Sequence, residues 1–180
     1  MNALIIIDMQ KVSFSTKERF DTKGTIKRIN NLIETFNANN GKIIFIQHDG
    51  SKEEGCFPLT EGWEILDALI KKESDTIIRK TICDSFYKTT LKQTLTELNI
   101  NTLIITGCAT DYCVDTTVKS AISNGFNVVI AKDCHTTADK PYMKAEKIIQ
   151  HYNWIWQDFI VPKGQKIEVL DTKEIIKKLT

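Results

Sequence analysis

Short apolar runs alternate with segments of helical periodicity along the whole chain. The first run, residues 3–7, is short and continuous, as in a strand that is buried on both faces. Residues 25–36 then carry apolar side chains at helical spacing, and Asn39-Asn40-Gly41 ends that segment. Strands separated by helices of about a dozen residues form a parallel sheet covered by helices. The pattern therefore predicts an α/β protein of three layers, α/β/α, around a mostly parallel central sheet.

The remaining elements continue this alternation. We predict strands at 42–46, 76–78, 102–105, 126–130 and 166–170, a loop at 51–60, and helices at 63–70, 89–98, 114–123, 142–156 and 172–179. The chain has 180 residues, of which 42% are hydrophobic and 26% charged. This length and composition are those of one globular domain, which we place at residues 1–180.

Charge and cysteine usage narrow the class of partner. Lys and Arg number 24 against 23 Asp and Glu, so the chain lacks the basic excess that is typical of nucleic-acid binding. No apolar run approaches the roughly 20 residues that span a bilayer, and residues 1–8 do not resemble a signal peptide. The five cysteines show no CxxC pair, which favours reduced thiols. We therefore expect a cytoplasmic protein that acts on a small molecule, with no nucleic-acid or membrane partner.

The stretch Leu103-Ile-Ile-Thr-Gly-Cys-Ala-Thr-Asp-Tyr-Cys-Val114 joins a predicted strand to a predicted helix. The apolar run ends in Gly107, a short turn follows, and Cys113 stands at the start of the helix. The positive end of a helix dipole lowers the pKa of a thiol placed there, and unpaired backbone N–H groups face the same way. This turn can therefore supply a nucleophile and the donors that stabilise an oxyanion.

Two further strands end in reactive side chains, and sites in parallel sheets lie beyond the carboxyl ends of strands. Asp8 follows the first strand, and Lys80 follows the third. Asp8 could accept the proton of Cys113, while Lys80 could orient both groups by charge. The sequence thus predicts a nucleophile, a base and an orienting group at one edge of the sheet.

Three motifs carry a resemblance to a known family. Ile5-Ile-Ile-Asp-Met-Gln10, Ile78-Arg-Lys80 with Ser85-Phe86, and Ile105-Thr-Gly-Cys-Ala-Thr-Asp-Tyr-Cys-Val-Asp-Thr-Thr117 together resemble the isochorismatase-like cysteine hydrolases. That family includes nicotinamidases, isochorismatases, N-carbamoylsarcosine amidases and ureidoacrylate amidohydrolases. The similarity extends from about residue 4 to residue 137 and covers most of the chain.

The resemblance implies a Rossmann-like three-layer fold with a catalytic triad of Asp8, Lys80 and Cys113. It also implies a cis peptide bond between Cys108 and Ala109, and an oxyanion hole made by the backbone N–H groups of Ala109 and Cys113. Members of the family commonly form dimers or tetramers, so we expect a homo-oligomer.

One departure from the nicotinamidase pattern bears on cofactors. Nicotinamidases of the family carry Asp-x-His and a further His after the second strand, and these residues hold a metal. Here the strand is followed by Gln47-His48-Asp49-Gly50-Ser51, with no histidine two residues after the aspartate. The pair Gly62-Trp63 instead resembles the metal-independent members. The resemblance therefore implies no metal and no other cofactor.

Six side chains near the strand ends and loops are candidates for lining the substrate pocket: Phe14, Gln47, Trp63, Phe86, Tyr112 and His135. For His135 a structural hydrogen bond is the alternative role. Loop residues 11–20 and 48–62 are expected to set specificity.

Three functional hypotheses follow from these observations. The first is a hydrolase that cleaves a C–N amide-type bond through a thioester on Cys113. The second is an isochorismatase-type vinyl-ether hydrolase in which Asp8 is the general acid. The third is a non-catalytic protein that keeps the fold for assembly.

Overall fold

A computed structural model describes residues 1–180, and its centre is one six-stranded sheet. The strands are β1 (Asn2–Ile7), β2 (Lys42–His48), β3 (Thr76–Lys80), β4 (Thr102–Cys108), β5 (Asn127–Thr136) and β6 (Ile167–Leu170). They lie in the order β3-β2-β1-β4-β5-β6, and every neighbouring pair is parallel.

Six α-helices connect or flank the strands: α1 (Lys11–Ser15), α2 (Thr22–Ala38), α3 (Leu91–Glu97), α4 (Asp115–Ser123), α5 (Ala145–Gln157) and α6 (Thr172–Leu179). A 3₁₀ turn lies at Glu61–Trp63, and a π-helical turn, Thr110–Val114, leads into α4. None of the helices combines the length and the apolar character that a membrane span requires.

The two faces of the sheet are buried beneath different helices. In β1, Ile5 and Ile7 belong to a core cluster shared with α3, α4 and α5, whereas Leu4 and Ile6 belong to a cluster shared with α2 and α6. This period of two arises because successive side chains of a strand point to opposite faces. The predicted α/β/α arrangement of three layers is confirmed, and the sheet is entirely parallel.

Residues 63–70 do not form the predicted helix. After the 3₁₀ turn, Ile65 forms an isolated antiparallel bridge with Gln10, and the Leu66 N–H donates to the carbonyl oxygen of Met9. The side chain of Asn30 in α2 bonds to the backbone of both Ala68 and Ile70. The backbone groups of this segment are therefore satisfied by the rest of the molecule instead of by a helix of its own.

Strands β4 and β5 run further than the apolar pattern predicts. Beyond Ile105 the register shifts, and Gly107 and Cys108 pair with His135 and Thr136. Polar residues at the end of β5 thus become part of the sheet. The prediction ended both strands too early because it followed hydrophobicity alone.

The order of the strands determines where a site can form. Strands β2 and β3 lie successively outward from β1 on one side of the sheet, and β5 and β6 lie successively outward from β4 on the other side. The connections leave β1 and β4 in opposite directions, and such a reversal opens a crevice beyond the carboxyl ends of the strands. Since Ile7 pairs with Gly107, Asp8 lies at this crevice next to the turn after β4.

At Gly107 the backbone of β4 leaves no room for a side chain beside β1. Its φ is +119°, and a Cβ atom there would lie 2.2 Å from the carbonyl oxygen of Ile7. We expect Gly107→Ala to lower the free energy of unfolding by about 3 kcal/mol or more, because the clash is with backbone. Gly125→Ala is the control, since its φ is +92° but no atom lies within 4 Å. It should lose only about 1 kcal/mol in urea denaturation. Equal losses in the two variants would contradict this account.

Candidate active site

A buried ion pair stands at the carboxyl ends of β1 and β3. The Lys80 side chain is 0% exposed and that of Asp8 is 8% exposed, and Lys80 Nζ lies 2.6 Å from Asp8 Oδ2. Lys80 reaches Asp8 from two strands away, because β2 lies between β3 and β1. Burying either charge alone would be strongly unfavourable, so each requires the other.

The same ammonium group also contacts Cys113. Lys80 Nζ lies 3.3 Å from Cys113 Sγ and 3.1 Å from the carbonyl oxygen of Ile82. An ammonium has three N–H groups, and the carboxylate, the sulfur and the carbonyl use all three. The structure thus brings the three predicted catalytic side chains together and leaves Lys80 no freedom to turn away from them.

One oxygen of Asp8 remains available. Asp8 Oδ1 is buried and has no hydrogen-bond partner, whereas Oδ2 is held by Lys80. A buried carboxylate oxygen without a partner is unfavourable unless a ligand or a proton completes it. Oδ1 is therefore the atom of Asp8 that is free to accept a proton.

The protonation states of the cluster differ from the sequence-based expectation at one group. Burial lowers the pKa of Lys80, but the interactions with Asp8 and Cys113 outweigh burial and raise this pKa overall. Lys80 is therefore an ammonium. Burial raises the pKa of Cys113, and the negative charge of Asp8 raises it further. The positive charge of Lys80 lowers this pKa but does not outweigh the other two effects. The predicted lowering of the Cys113 pKa was therefore wrong, and the resting sulfur is a thiol. The loss of water around the buried sulfur outweighs the effect of the helix dipole on its pKa.

The backbone next to Cys113 has the conformation that the resemblance implies. The peptide bond between Cys108 and Ala109 is cis. The N–H of Ala109 makes no hydrogen bond within the protein. It is therefore available to a ligand beside the sulfur.

A cavity of about 610 Å³ opens onto these groups. Asp8, Cys113 and Ala109 lie in its wall together with parts of α1, the loop after β2 and the loop after β5. The wall also includes the following residues: Gln10, Val12, Ser13, Lys17, Arg19, His48, Glu54, Cys56, Thr81, Ile82, Cys83, Cys108, Tyr112, Ala138, Asp139 and Lys140. Its size is that of a small-molecule site.

Sequence comparison places this arrangement in a family, because the isochorismatase domain model matches residues 2–152. The chain belongs to the isochorismatase family of hydrolases. It is 34% identical over 134 residues, 73% of this chain and 71% of the other, to the uncharacterized isochorismatase family protein YrdC of Bacillus subtilis strain 168. It is 28% identical over 142 residues to a streptothricin hydrolase of Streptomyces noursei, covering 78% of this chain and 56% of that enzyme.

Solved structures of the family share the fold. The crystal structure of one isochorismatase family protein superimposes with a TM-score of 0.84 at 30% identity, over 94% of this chain and 98% of that chain. The match extends beyond the three sequence motifs to nearly the whole α/β/α architecture.

Of the six side chains predicted to line the pocket of this hydrolase, the cavity wall includes Tyr112. Its side chain is half exposed, and Lys140 Nζ lies 4.6 Å from the centre of its ring. Phe14 packs against the core between α2 and the sheet, and Phe86 stacks on Phe126 at a ring distance of 5.7 Å. Both phenylalanines lie outside the cavity wall, because apolar burial takes precedence for these side chains.

Gln47 and Trp63 also lie outside the wall of the cavity. Gln47 is buried, and its Nε2 donates to the carbonyl oxygen of Trp63 at 2.9 Å. The Trp63 indole N–H donates to Asp49, and Arg79 covers the ring at 5.2 Å. These residues fasten the loop after β2 to the sheet and so support one side of the crevice.

His135 is buried among three residues instead of lining the cavity. Its Nε2 lies 3.0 Å from Asn153 Oδ1, its Nδ1 lies 2.8 Å from Thr110 Oγ1, and its ring meets Trp156 edge-on. Asn153 Nδ2 donates to a backbone carbonyl, which identifies Oδ1 as the atom facing His135. Nε2 therefore carries the proton, and Nδ1 accepts from the Thr110 hydroxyl. The structure shows the hydrogen-bonding arrangement that was the alternative for this histidine.

Three side chains of the kinds that bind metal ions lie together at one corner of the cavity. Donor atoms of His48, Glu54 and Cys56 lie within 4.8 Å of one another, and His48 Nδ1 is buried without a partner. Burial, together with the charge of Lys80, lowers the pKa of His48, so its imidazole is neutral. Asp49 is not part of this group, because it accepts hydrogen bonds from Trp63 and Arg79.

Sequence reasoning passed over two residues of the cavity wall that have distinct contacts. Gln10 donates to the carbonyl oxygens of His48 and Trp63 and accepts from the His48 N–H, and so clamps the end of β2. Its signal was present, since it closes the Asp-Met-Gln motif. Arg19 lies in the loop after α1, within the segment expected to set specificity, but nothing in its local pattern distinguishes it from a solvated arginine.

The buried state of His135 predicts a pH dependence of stability. Burial lowers the pKa of His135 from 6.5 to about 4. The unfolded chain takes up a proton below about pH 6.5, while the folded chain does not until about pH 4, so the free energy of unfolding falls as the pH falls through this window. Between pH 6.5 and pH 5 the contribution is about 2 kcal/mol.

Urea denaturation of the wild type and of His135→Gln at pH 7.5 and pH 5 measures this contribution. The stability difference between the two proteins should narrow by about 2 kcal/mol at pH 5, because glutamine does not titrate. His151→Gln, at an exposed position of α5, serves as the control and should follow the wild type at both pH values. A difference between wild type and His135→Gln that is independent of pH would show that His135 does not titrate in this way.

Proposed function

We propose that this hydrolase cleaves a C–N amide-type bond of a small molecule through a thioester on Cys113. The observation that supports this most directly is the single buried ammonium of Lys80, bonded at once to Asp8 and to the Cys113 sulfur. A thiol, a carboxylate with one free oxygen and a fixed cation are the groups that covalent amide hydrolysis needs. The family that the motifs resemble includes several amidohydrolases.

In the first half of the proposed reaction, Asp8 Oδ1 accepts the thiol proton as the sulfur attacks the carbonyl carbon. The carbonyl oxygen becomes an oxyanion, and the backbone N–H groups of Ala109 and Cys113 donate to it. The C–N bond then breaks, Asp8 returns the proton to the leaving nitrogen, and the amine or ammonia departs. Cys113 is left as an acyl thioester.

The second half repeats these roles with water. Asp8 accepts a proton from the water molecule as its oxygen attacks the thioester carbon. The C–S bond breaks, the sulfur is protonated again, and the carboxylic acid leaves. Because Asp8 accepts a hydrogen bond from a buried ammonium, it suits the role of base at the start of the cycle better than the role of acid. This favours amide hydrolysis over the vinyl-ether alternative.

The decisive variant is Cys113→Ala, because it removes the proposed nucleophile. We expect acid release from a panel of amides, carbamoyl compounds and ureides to fall by about three orders of magnitude or more. Asp8→Asn should lose a similar factor. Mass spectrometry of wild-type protein quenched during turnover should show an acyl adduct on Cys113.

Cys83→Ala is the matched control, since Cys83 is a second thiol in the cavity wall that has no hydrogen bond to Lys80 or Asp8. It should keep activity within a few-fold of the wild type. Turnover that survives Cys113→Ala but not Asp8→Asn, without an adduct, would instead identify the vinyl-ether mechanism. No turnover by the wild type on amides or vinyl ethers would favour a non-catalytic role.

We also propose that the hydrolase acts in the cytoplasm. All five of its cysteines are free, including three that are buried. Reduced thiols are typical of that compartment, and this supports the proposal.

We further propose that the chain forms a homo-oligomer, as expected from the resemblance. Large apolar side chains on and after α5 support this, since Trp154 is 63% exposed and Ile160 fully exposed. Exposed apolar surface is typical of contact with another chain. Light scattering should give a mass of at least twice the 20.5 kDa of one chain, and Trp154→Glu should reduce this mass. A monomeric mass at micromolar concentration would contradict the proposal.

A further inference from the structure

Arg19 differs from the other arginines of the chain in its contacts. The chain has three arginines, and Arg28 and Arg79 each pair with a carboxylate, of Asp21 and Asp49 respectively, at 2.7 and 2.8 Å. Arg19 has no carboxylate partner. Its Nε donates to the carbonyl oxygen of Ser13 at 2.7 Å, and its two terminal nitrogens make no hydrogen bond within the protein.

This arrangement orients Arg19 without neutralising it. The bond to Ser13 ties the guanidinium to the middle of α1, and both residues are half-buried in the wall of the cavity. A guanidinium presents its N–H groups as a rigid fork that matches a carboxylate with two parallel hydrogen bonds. An unpaired and positioned guanidinium in a cavity wall is therefore suited to an anionic ligand.

The other charges of the cavity wall are mostly paired. Asp8 is bonded to Lys80, Asp139 to Lys144 at 2.6 Å, and Lys140 to Asp111 at 3.0 Å. Glu54 is an exposed exception on the side of the cavity formed by the loop after β2, where it accepts from a backbone N–H.

Lys17 is the other cation of the wall without an acidic partner. It is exposed and lies close in sequence to Arg19. The unpaired positive charge of the cavity is thus concentrated in the loop after α1.

Arg19 lies in the same cavity wall as the reacting groups, Asp8 and Cys113. Burial raises the pKa of Cys108 to about 12, and among the charges acting on that thiol Arg19 is the first in size and opposes the rise. Cys108 immediately precedes Ala109, whose N–H we place in the oxyanion hole. A small molecule in this cavity of about 610 Å³ can therefore have one end at Arg19 and the other at Cys113.

We propose that the substrate carries a carboxylate that Arg19 binds, with Lys17 adding positive charge at the rim of the cavity. This inference rests on the proposed amide hydrolysis and names its substrate class, a small acid that bears an amide or ureide group. A singly charged carboxylate fits better than a phosphate, because the unpaired carboxylate of Glu54 in the same wall would repel a dianion more strongly.

Monoamides of dicarboxylic acids and the corresponding diamides form matched pairs for the test. Succinamate, glutaramate and adipamate each differ from the diamide only by a carboxylate in place of a neutral amide of the same shape. Ammonia release by the wild type should show a kcat/KM at least about tenfold higher for the best monoamide than for its diamide.

Arg19→Gln should abolish this preference. We expect kcat/KM for the monoamide to fall by about 10- to 100-fold, mainly through KM, and the diamide to change less than about twofold. Arg19→Lys should restore part of the preference, and Arg28→Gln, which removes an arginine of α2 outside the cavity wall, should leave it intact. Equal losses on both substrates in Arg19→Gln, or no preference in the wild type, would overturn the inference.

Binding of the diacids separates this inference from the proposed reaction. Calorimetric titration with succinate, glutarate and adipate requires no turnover, and the best of them should bind the wild type at least about tenfold more tightly than Arg19→Gln. If no amide is hydrolysed but this difference is found, the proposed reaction fails and the carboxylate site stands. If none of the diacids binds, or if they bind both proteins equally, the carboxylate site fails. Inorganic phosphate that binds more tightly than every diacid would likewise overturn the choice of a carboxylate.

Discussion

The ion pair of Lys80 and Asp8 is the interaction on which the site depends. Both side chains are almost completely removed from water, where an isolated charge of either sign would be very unfavourable. The pair therefore holds the ends of β1 and β3 in one relative position across β2. It also sets the place of the sulfur, since the third N–H of the ammonium is the only one that remains for Cys113 after Asp8 and the Ile82 carbonyl. Lys80 thus both positions Asp8 and Cys113 and supplies the positive charge beside them.

The fold makes this pair possible through strand order. Asp8 and Cys113 follow β1 and β4, the two neighbouring strands from which the chain leaves in opposite directions, so no crossover helix covers the space between them. Gly107 allows the backbones of these strands to approach where a side chain would collide with Ile7. The cis peptide after β4 then leads into the π-helical turn that carries Cys113. Hydrophobic layers on both faces of the sheet keep this geometry rigid.

Hydrophobic periodicity and strand-end chemistry predicted the layers and the three side chains that meet at the cluster, because both depend on local pattern and on a general rule for parallel sheets. These two kinds of sequence pattern failed where contacts between distant parts of the chain determine the structure. Residues 63–70 do not form a helix, because their backbone groups bond instead to the loop after β1 and to α2. The pKa of Cys113 is raised by burial, which no local sequence pattern reveals. The pocket was the least predictable part. Phe86 resembles a pocket residue in sequence as much as Tyr112 does, and only the packing against Phe126 separates them.

The resting protonation states have a consequence for the proposed reaction. With Cys113 as a thiol, the buried cluster contains one negative charge on Asp8 and one positive charge on Lys80, so its net charge is zero. Transfer of the proton from sulfur to Asp8 moves the negative charge to the sulfur, and Lys80 already donates to that atom as well. The net charge of the buried cluster does not change during activation, and no new charge has to be stripped of water. A histidine in place of Lys80 could titrate near neutral pH, whereas the lysine remains charged while the proton passes between sulfur and carboxylate.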